Sequence, residues 1–190
     1  MNKEDTVGGL IGKCLEAGTD DPVRIFRNLT GDDVPMNGGI HHIIVPLSLI
    51  TAYWNVKGDF DLESYLREAA DRAANVPETI CGYWGSCGSC IGTGIFLSVI
   101  TRTGPLSKGR RWGQCNMITS EALHSVAEVG GPRCCKRNAV LAIQSACRYV
   151  KDTMGVELHP SEYACGRWKS NPECIGNRCP FYIDNKREQL

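Results

Sequence analysis

Apolar residues recur at steps of three and four along most of the chain, and nowhere do they alternate as a half-buried strand requires. Residues 5–18 read as a helix with Asp5 or Thr6 as cap and Leu10, Ile11, Cys14 and Leu15 on one face. Asp21-Pro22 is a cap followed by proline at the first helical position, leading into Val23, Ile25 and Phe26. Residues 31–39 form a loop by composition, and His41 to Ile50 is apolar on every face, hence a buried helix with a proline near its start. Gly58 ends it. Asp59 or Asp61 then caps a helix through Leu62, Tyr65, Leu66, Ala69 and Ala73 to Pro77.

A second fully buried helix is predicted from Gly92 to Thr103. Residues 105–130 carry another, with Met117, Leu123, Val126 and Ala127 inward. The last long helix begins at Pro132, with Val140, Ile143, Cys147, Val150 and Met154 as its core stripe and Gly155 as its stop. The expected fold is all-α, a helical domain of six or seven helices over residues 1–158. An irregular cysteine-bearing tail, 159–190, packs on it as part of one structural unit.

A chain of 190 residues with 21 basic and 21 acidic side chains has a formal charge of zero. That removes the electrostatic reason to expect nucleic acid or an anionic membrane surface as partner. The apolar run Ile95 to Ile100 is too short to cross a bilayer. The polar start Met1-Asn2-Lys3-Glu4-Asp5 shows no secretory pattern, so a cytoplasmic setting is expected.

Eleven cysteines change the picture. The count is odd, and in a reducing compartment thiols stay free, so a disulfide framework is not the expectation. Cys14 and Cys147 fit as small core hydrophobes. The rest cluster: Cys81, Cys87 and Cys90 among glycines, the pair Cys134-Cys135, and Cys165, Cys174 and Cys179 in the tail. Thiolates bind soft metals and are favoured at helix N-termini, where Cys87, Cys90, Cys134 and Cys135 fall. Seven are candidate metal ligands: Cys81, Cys87, Cys134, Cys135, Cys165, Cys174 and Cys179. Cys90 and Cys115 are weaker candidates. Cys179-Pro180 resembles the close of ferredoxin cluster runs, with different spacing. One or two iron–sulfur clusters, [4Fe–4S] foremost, are the expected cofactor, with zinc the alternative. Which cysteines share a centre stays open. Adjacent cysteines seldom both ligate one iron, which leaves Cys135 as a candidate nucleophile.

Around them, His42 is a candidate catalytic group facing a pocket, against the plainer reading of a satisfied core histidine. Lys136 and Arg133 are candidates to bind a substrate anion or tune the thiols, against the reading of exposed first-turn charges. Gly88 lets backbone amides approach a cofactor. Trp84, Trp112 and Trp168 are expected to pack, and Glu128 to be solvated.

These blocks carry a resemblance. His41-His42-x-x-Val45-Pro46, Cys81-Gly82-x-Trp84-Gly85-x-Cys87-Gly88, Gly130-Gly131-Pro132-Arg133-Cys134-Cys135-Lys136-Arg137 and Cys165…Cys174…Cys179-Pro180-Phe181 together resemble a cysteine-rich domain of unknown function, family 5714, of anaerobic archaea and bacteria. The resemblance spans about residues 40–182. A weaker likeness is to a redox family marked by Cys-Gly-Cys-Ala-Gly…Cys-Cys. Met36 stands where the first pattern often has a further histidine, and Cys90 where alanine is commoner. The resemblance implies a metal or redox centre in an anaerobe, and no particular reaction.

The expected function is therefore an iron–sulfur protein of anaerobic metabolism, with an open cluster iron serving sulfur transfer or desulfuration of a small substrate. Electron transfer or accessory work for a redox partner protein is the first alternative, and a structural zinc domain the second. A homodimer is compatible with the near-zero charge, and no residue specifies it.

Overall fold

The computed structural model describes residues 3–183, so Met1, Asn2 and the last seven residues of the tail lie outside the described residues. Eight α-helices follow in order: α1 (Lys3–Leu15), α2 (Pro22–Leu29), α3 (Ile40–Lys57), α4 (Leu62–Ala74), α5 (Ile80–Tyr83), α6 (Gly88–Ile100), α7 (Arg110–Val129) and α8 (Cys135–Met154). Seven of them are eight residues or longer, and α5 is a single turn within the cysteine stretch. No strand occurs among the described residues, and no helix is long and apolar enough to cross a membrane.

The bundle is built around α3, whose residues 41–52 are all buried. Helices α1, α2, α4, α6 and α8 pack against it. Gly92 brings α6 close, because a Cβ there would meet the Pro46 ring at 2.9 Å and the His42 carbonyl at 3.2 Å. Ser48 and Thr51 satisfy their hydroxyls on carbonyls one turn back, so α3 buries no unpaired hydroxyl. Asp21 and Asp61 cap α2 and α4 with their carboxylates, as their positions before proline and leucine predict.

Three expectations are corrected. Helix α7 turns Ile118 and Ala122 inward, while Met117 is 53 % exposed. Apolar side chains occur on more than one face there, so periodicity alone did not fix the rotation. Helix α8 begins three residues after Pro132, because Cys134 is still extended and serves as its N-cap. Helix α6 begins four residues before Gly92, with Cys87 as N-cap, and Arg102 at positive φ closes it early.

The tail lies against the bundle, and cysteines are not its sole organisers. Phe181 is buried in the common core, and Tyr163 packs edge-on between Phe26 and Phe181, at 6.1 and 5.4 Å between ring centres. The Cys165 amide donates to the Phe181 carbonyl at 2.7 Å, closing residues 165–181 into a loop. At its root, the Asp21 carboxylate that caps α2 also accepts from the Ser161 amide at 3.1 Å.

Candidate functional site: two thiol chambers and a cleft

The first turn of α8 is a partition. Cys134 faces one side, where it shares a narrow enclosed chamber with Cys165, Cys174 and Cys179, walled by Met36, Lys136, Tyr163, Trp168 and Phe181. Cys135 faces the other, where it shares a second small chamber with Cys81, Cys87, His42, Gly88 and Arg133. Cys134 is the extended N-cap and Cys135 the first helical residue, so the change of backbone conformation at the start of α8 separates the two side chains. The seven candidate ligands thus divide into four and three. Cys115 lines neither chamber, and Cys90 lies behind Cys87.

In the tail chamber, the Cys165 sulfur accepts the Arg167 amide and the Cys179 sulfur accepts the Phe181 amide. Each bond comes from two residues ahead, a turn that stabilises negative sulfur. Without a cation, burial outweighs these bonds and pushes both thiols up. Lys136 is 3 % exposed, and its ammonium donates to the Thr30 carbonyl at 3.3 Å. Burial, with the nearby Arg167 charge, lowers its pKa. This corrects the reading of Lys136 as an exposed first-turn charge, and it places the amine in the tail-chamber wall. The chamber measures about 20 Å³, the space of one or two waters. Among the described residues no three His, Cys, Asp or Glu side chains stand close enough together to hold a metal ion as they are.

The second chamber adjoins a cleft of about 910 Å³ between the α5 turn, α7 and the start of α8. Cys81 and Cys87 line both spaces, and Arg133, exposed, stands at their junction. The glycines act here through space. A Cβ on Gly88 would fall on the His42 ring, so Gly88 exists to admit that ring. His42 is buried, with Nδ1 at 3.3 Å from the Val76 carbonyl. Gly85, at φ +65, makes the left-handed turn joining α5 to α6.

Cys87 is the most activated thiol described. Its sulfur accepts from the Cys90 thiol, from the Ser89 and Cys90 amides, and from Asn138 Nδ2 at 3.7 Å. Together these outweigh burial and bring it down to about 6. Asn138 is aimed by Arg137, whose Nε donates to its Oδ1 at 3.2 Å while Nη2 holds the Gly130 and Pro132 carbonyls. Cys135 goes the other way, raised by burial despite a bond from Gly38. Cys14 and Cys147 are core thiols, pushed by burial to about 11 and 12.

The sequence model of a family of unknown function, DUF5714, matches residues 10–182. The chain belongs to DUF5714. No curated protein and no solved structure matches it. The DUF5714 match spans both chambers, the cleft and the whole of the loop from Cys165 to Phe181.

Sequence reasoning missed three residues in or beside the candidate site. Asn138 and Arg137 look like ordinary helix residues, and only their position one turn after the cysteine pair hints at a role. His41 was passed over for His42. It is fully buried, with Nδ1 on the Gly38 carbonyl at 3.2 Å and Nε2 without a partner, and burial lowers it to about 4. The tryptophan expectation is corrected in part. Trp84 is 70 % exposed and Trp112 about half, whereas Trp168 packs on Tyr182 at 5.2 Å.

Proposed function

We propose that this chain is an iron–sulfur protein in which Cys134, Cys165, Cys174 and Cys179 hold one [4Fe–4S] cluster. The observation that carries the reading is the convergence of these four thiols, spread over 46 positions of sequence, on one enclosed chamber. Four thiolates are a complete set for a cubane, and the donor chemistry fits. Backbone amides reach two of the sulfurs, Lys136 and Arg137 offset cluster charge, and aromatic rings exclude water. Such a cluster supplies one-electron chemistry, and complete ligation favours electron transfer within anaerobic, cytoplasmic metabolism.

An open iron for sulfur transfer draws instead on Cys81, Cys87 and Cys135. One of those three sulfurs is engaged with Cys90, which moves the weight to the tail chamber. The chamber's narrowness favours a second reading, a single zinc ion on the same four thiolates, with a structural role. Anoxic purification followed by iron, zinc and acid-labile sulfide assays and electron paramagnetic resonance separates the readings. The expected result is a brown protein with about four iron and four sulfide per chain, lost in Cys174→Ala and Cys179→Ala and kept in Cys81→Ala. Stoichiometric zinc selects the second reading, and a colourless metal-free protein overturns both.

A further inference from the structure

The tail chamber leaves the thiols of the cleft without a task. We propose that Cys87 and Cys90 form a redox-active dithiol, open to the 910 Å³ cleft, that exchanges electrons with a small anionic disulfide. This goes beyond the cluster reading and does not depend on it.

Four observations carry it. Cys87-Gly88-Ser89-Cys90 places two cysteines three apart at the start of α6, with Cys87 as N-cap, and their sulfurs are in hydrogen-bonding contact. That contact makes the two sulfurs neighbours, and closing a disulfide would draw them together to about 2.0 Å. Second, the pair is asymmetric: Cys87 lines the cleft at 8 % exposure, while Cys90 is at 0 %. An incoming disulfide reaches only the first sulfur, and the second is kept for resolution. Third, the groups around Cys87 all donate to it, and the Arg137–Asn138 pair fixes one of those donors in place. The outer sulfur, which alone borders the cleft, is thus the nucleophile, and the fully buried Cys90 is the resolving thiol.

Fourth, the cleft defines the substrate. It is large enough for a drug-sized molecule, Arg133 and Arg137 line it, and no carboxylate does. Glu128 reaches His124 at 3.4 Å without lining the cleft. A disulfide carrying carboxylates matches that charge.

The reaction balances without another reagent. Cys87 Sγ attacks one sulfur of R–S–S–R, the S–S bond breaks, and the first RS⁻ leaves with its electron pair. The mixed disulfide Cys87–S–S–R forms. Cys90 then loses its proton to the departing thiolate and attacks Cys87 Sγ. The second RS⁻ leaves and the Cys87–Cys90 disulfide closes. Two electrons pass from the dithiol to the substrate disulfide, and an excess of RSH drives the steps backward.

The test uses anoxically purified, metal-loaded protein. One equivalent of 5,5′-dithiobis(2-nitrobenzoate), an anionic disulfide, is added, the reaction is quenched in acid, and cysteine peptides are mapped by mass while iron is assayed before and after. The first product expected is the Cys87–Cys90 disulfide with bound metal unchanged. Cys90→Ser should trap the mixed disulfide on Cys87. Relative to their rates with free cysteine, the anionic probe should outpace neutral dipyridyl disulfide about tenfold at low salt, an advantage Arg133→Ala removes. The proposal is overturned if other cysteines react first, or if Cys87 reacts only after metal is stripped, which would make it a ligand. Preference for a protein disulfide such as insulin over both probes overturns the substrate assignment. Should Cys90→Ser fail to fold, the map of the unmodified chain decides.

Discussion

The two chambers on either side of α8 are built from the same side chain and differ in what holds it. In the tail chamber, three of the four sulfurs ride on a loop whose only regular pieces are two three-residue turns, at Trp168–Ser170 and Gly176–Arg178. On the other side, at or behind the cleft, Cys87, Cys90 and Cys135 stand at the starts of long helices anchored in the core. A loop can close around a ligand and gains its order from it. Helix termini hold thiols in fixed places and polarise them, which suits reaction better than grip. The neighbours agree: the tail sulfurs meet aromatic walls, and Cys81 and Cys87 border a large open space.

The largest effect expected to sharpen this contrast comes from emptying the tail chamber. Cys179→Ala, or a chelator, should release metal and cost several kcal/mol, with limited proteolysis cutting within 159–183. Alkylation of Cys87 should stay unchanged. If cleft reactivity moves in step with metal content, the two chambers are one site.

The core beneath comes next. His41 is held near 4 by burial, below its ordinary 6.5, so the unfolded chain takes up a proton that the folded chain refuses. Stability is therefore retained above pH 6.5 and lost as pH falls toward 4, by on the order of 3 kcal/mol. Urea unfolding between pH 7.5 and 4.5 should show this excess loss relative to His41→Leu. Parallel curves would remove the assignment.

Gly88→Ala puts a methyl group on the His42 ring. It should cost roughly 1–3 kcal/mol in thermal unfolding and disturb the cleft alone, with the tail metal content unchanged. Asp21→Ala should cost about 1–2 kcal/mol, because one carboxylate caps α2, through Val23 and Arg24 amides at 2.9 and 3.0 Å, and tethers Ser161. Its signature is faster proteolysis at the root of the tail.

The smallest effect is kinetic. Asn138→Ala removes one of the donors to Cys87, so the midpoint of its iodoacetamide alkylation should rise above a pH of about 6, slowing reaction severalfold at neutral pH. An unmoved midpoint would show that the Asn138 bond contributes nothing to that thiolate.

Much of this was legible before any coordinates. The apolar run in α3 could only be a buried helix, and Asp21-Pro22, Asp61, Gly58 and Gly155 mark helix ends because their chemistry is local. The thiols stood out as candidates because clustered cysteines are unusual in a chain of this length. The facing of α7 was not legible, since its apolar residues occur on more than one face. Neither was the buried state of Lys136, because it depends on Thr30 and the tail, which are far away in sequence.

By itself, then, the sequence determined an all-helical chain with an apolar central helix and clustered thiols, since periodicity and caps act over a few residues. Only the tertiary structure decided which thiols meet. Cys134 and Cys135 are neighbours along the chain, yet the entry into α8 sends them to opposite sides of a wall, and their thiol partners arrive from 31 to 54 positions away. That sorting is a property of packing in three dimensions, and no local pattern encodes it.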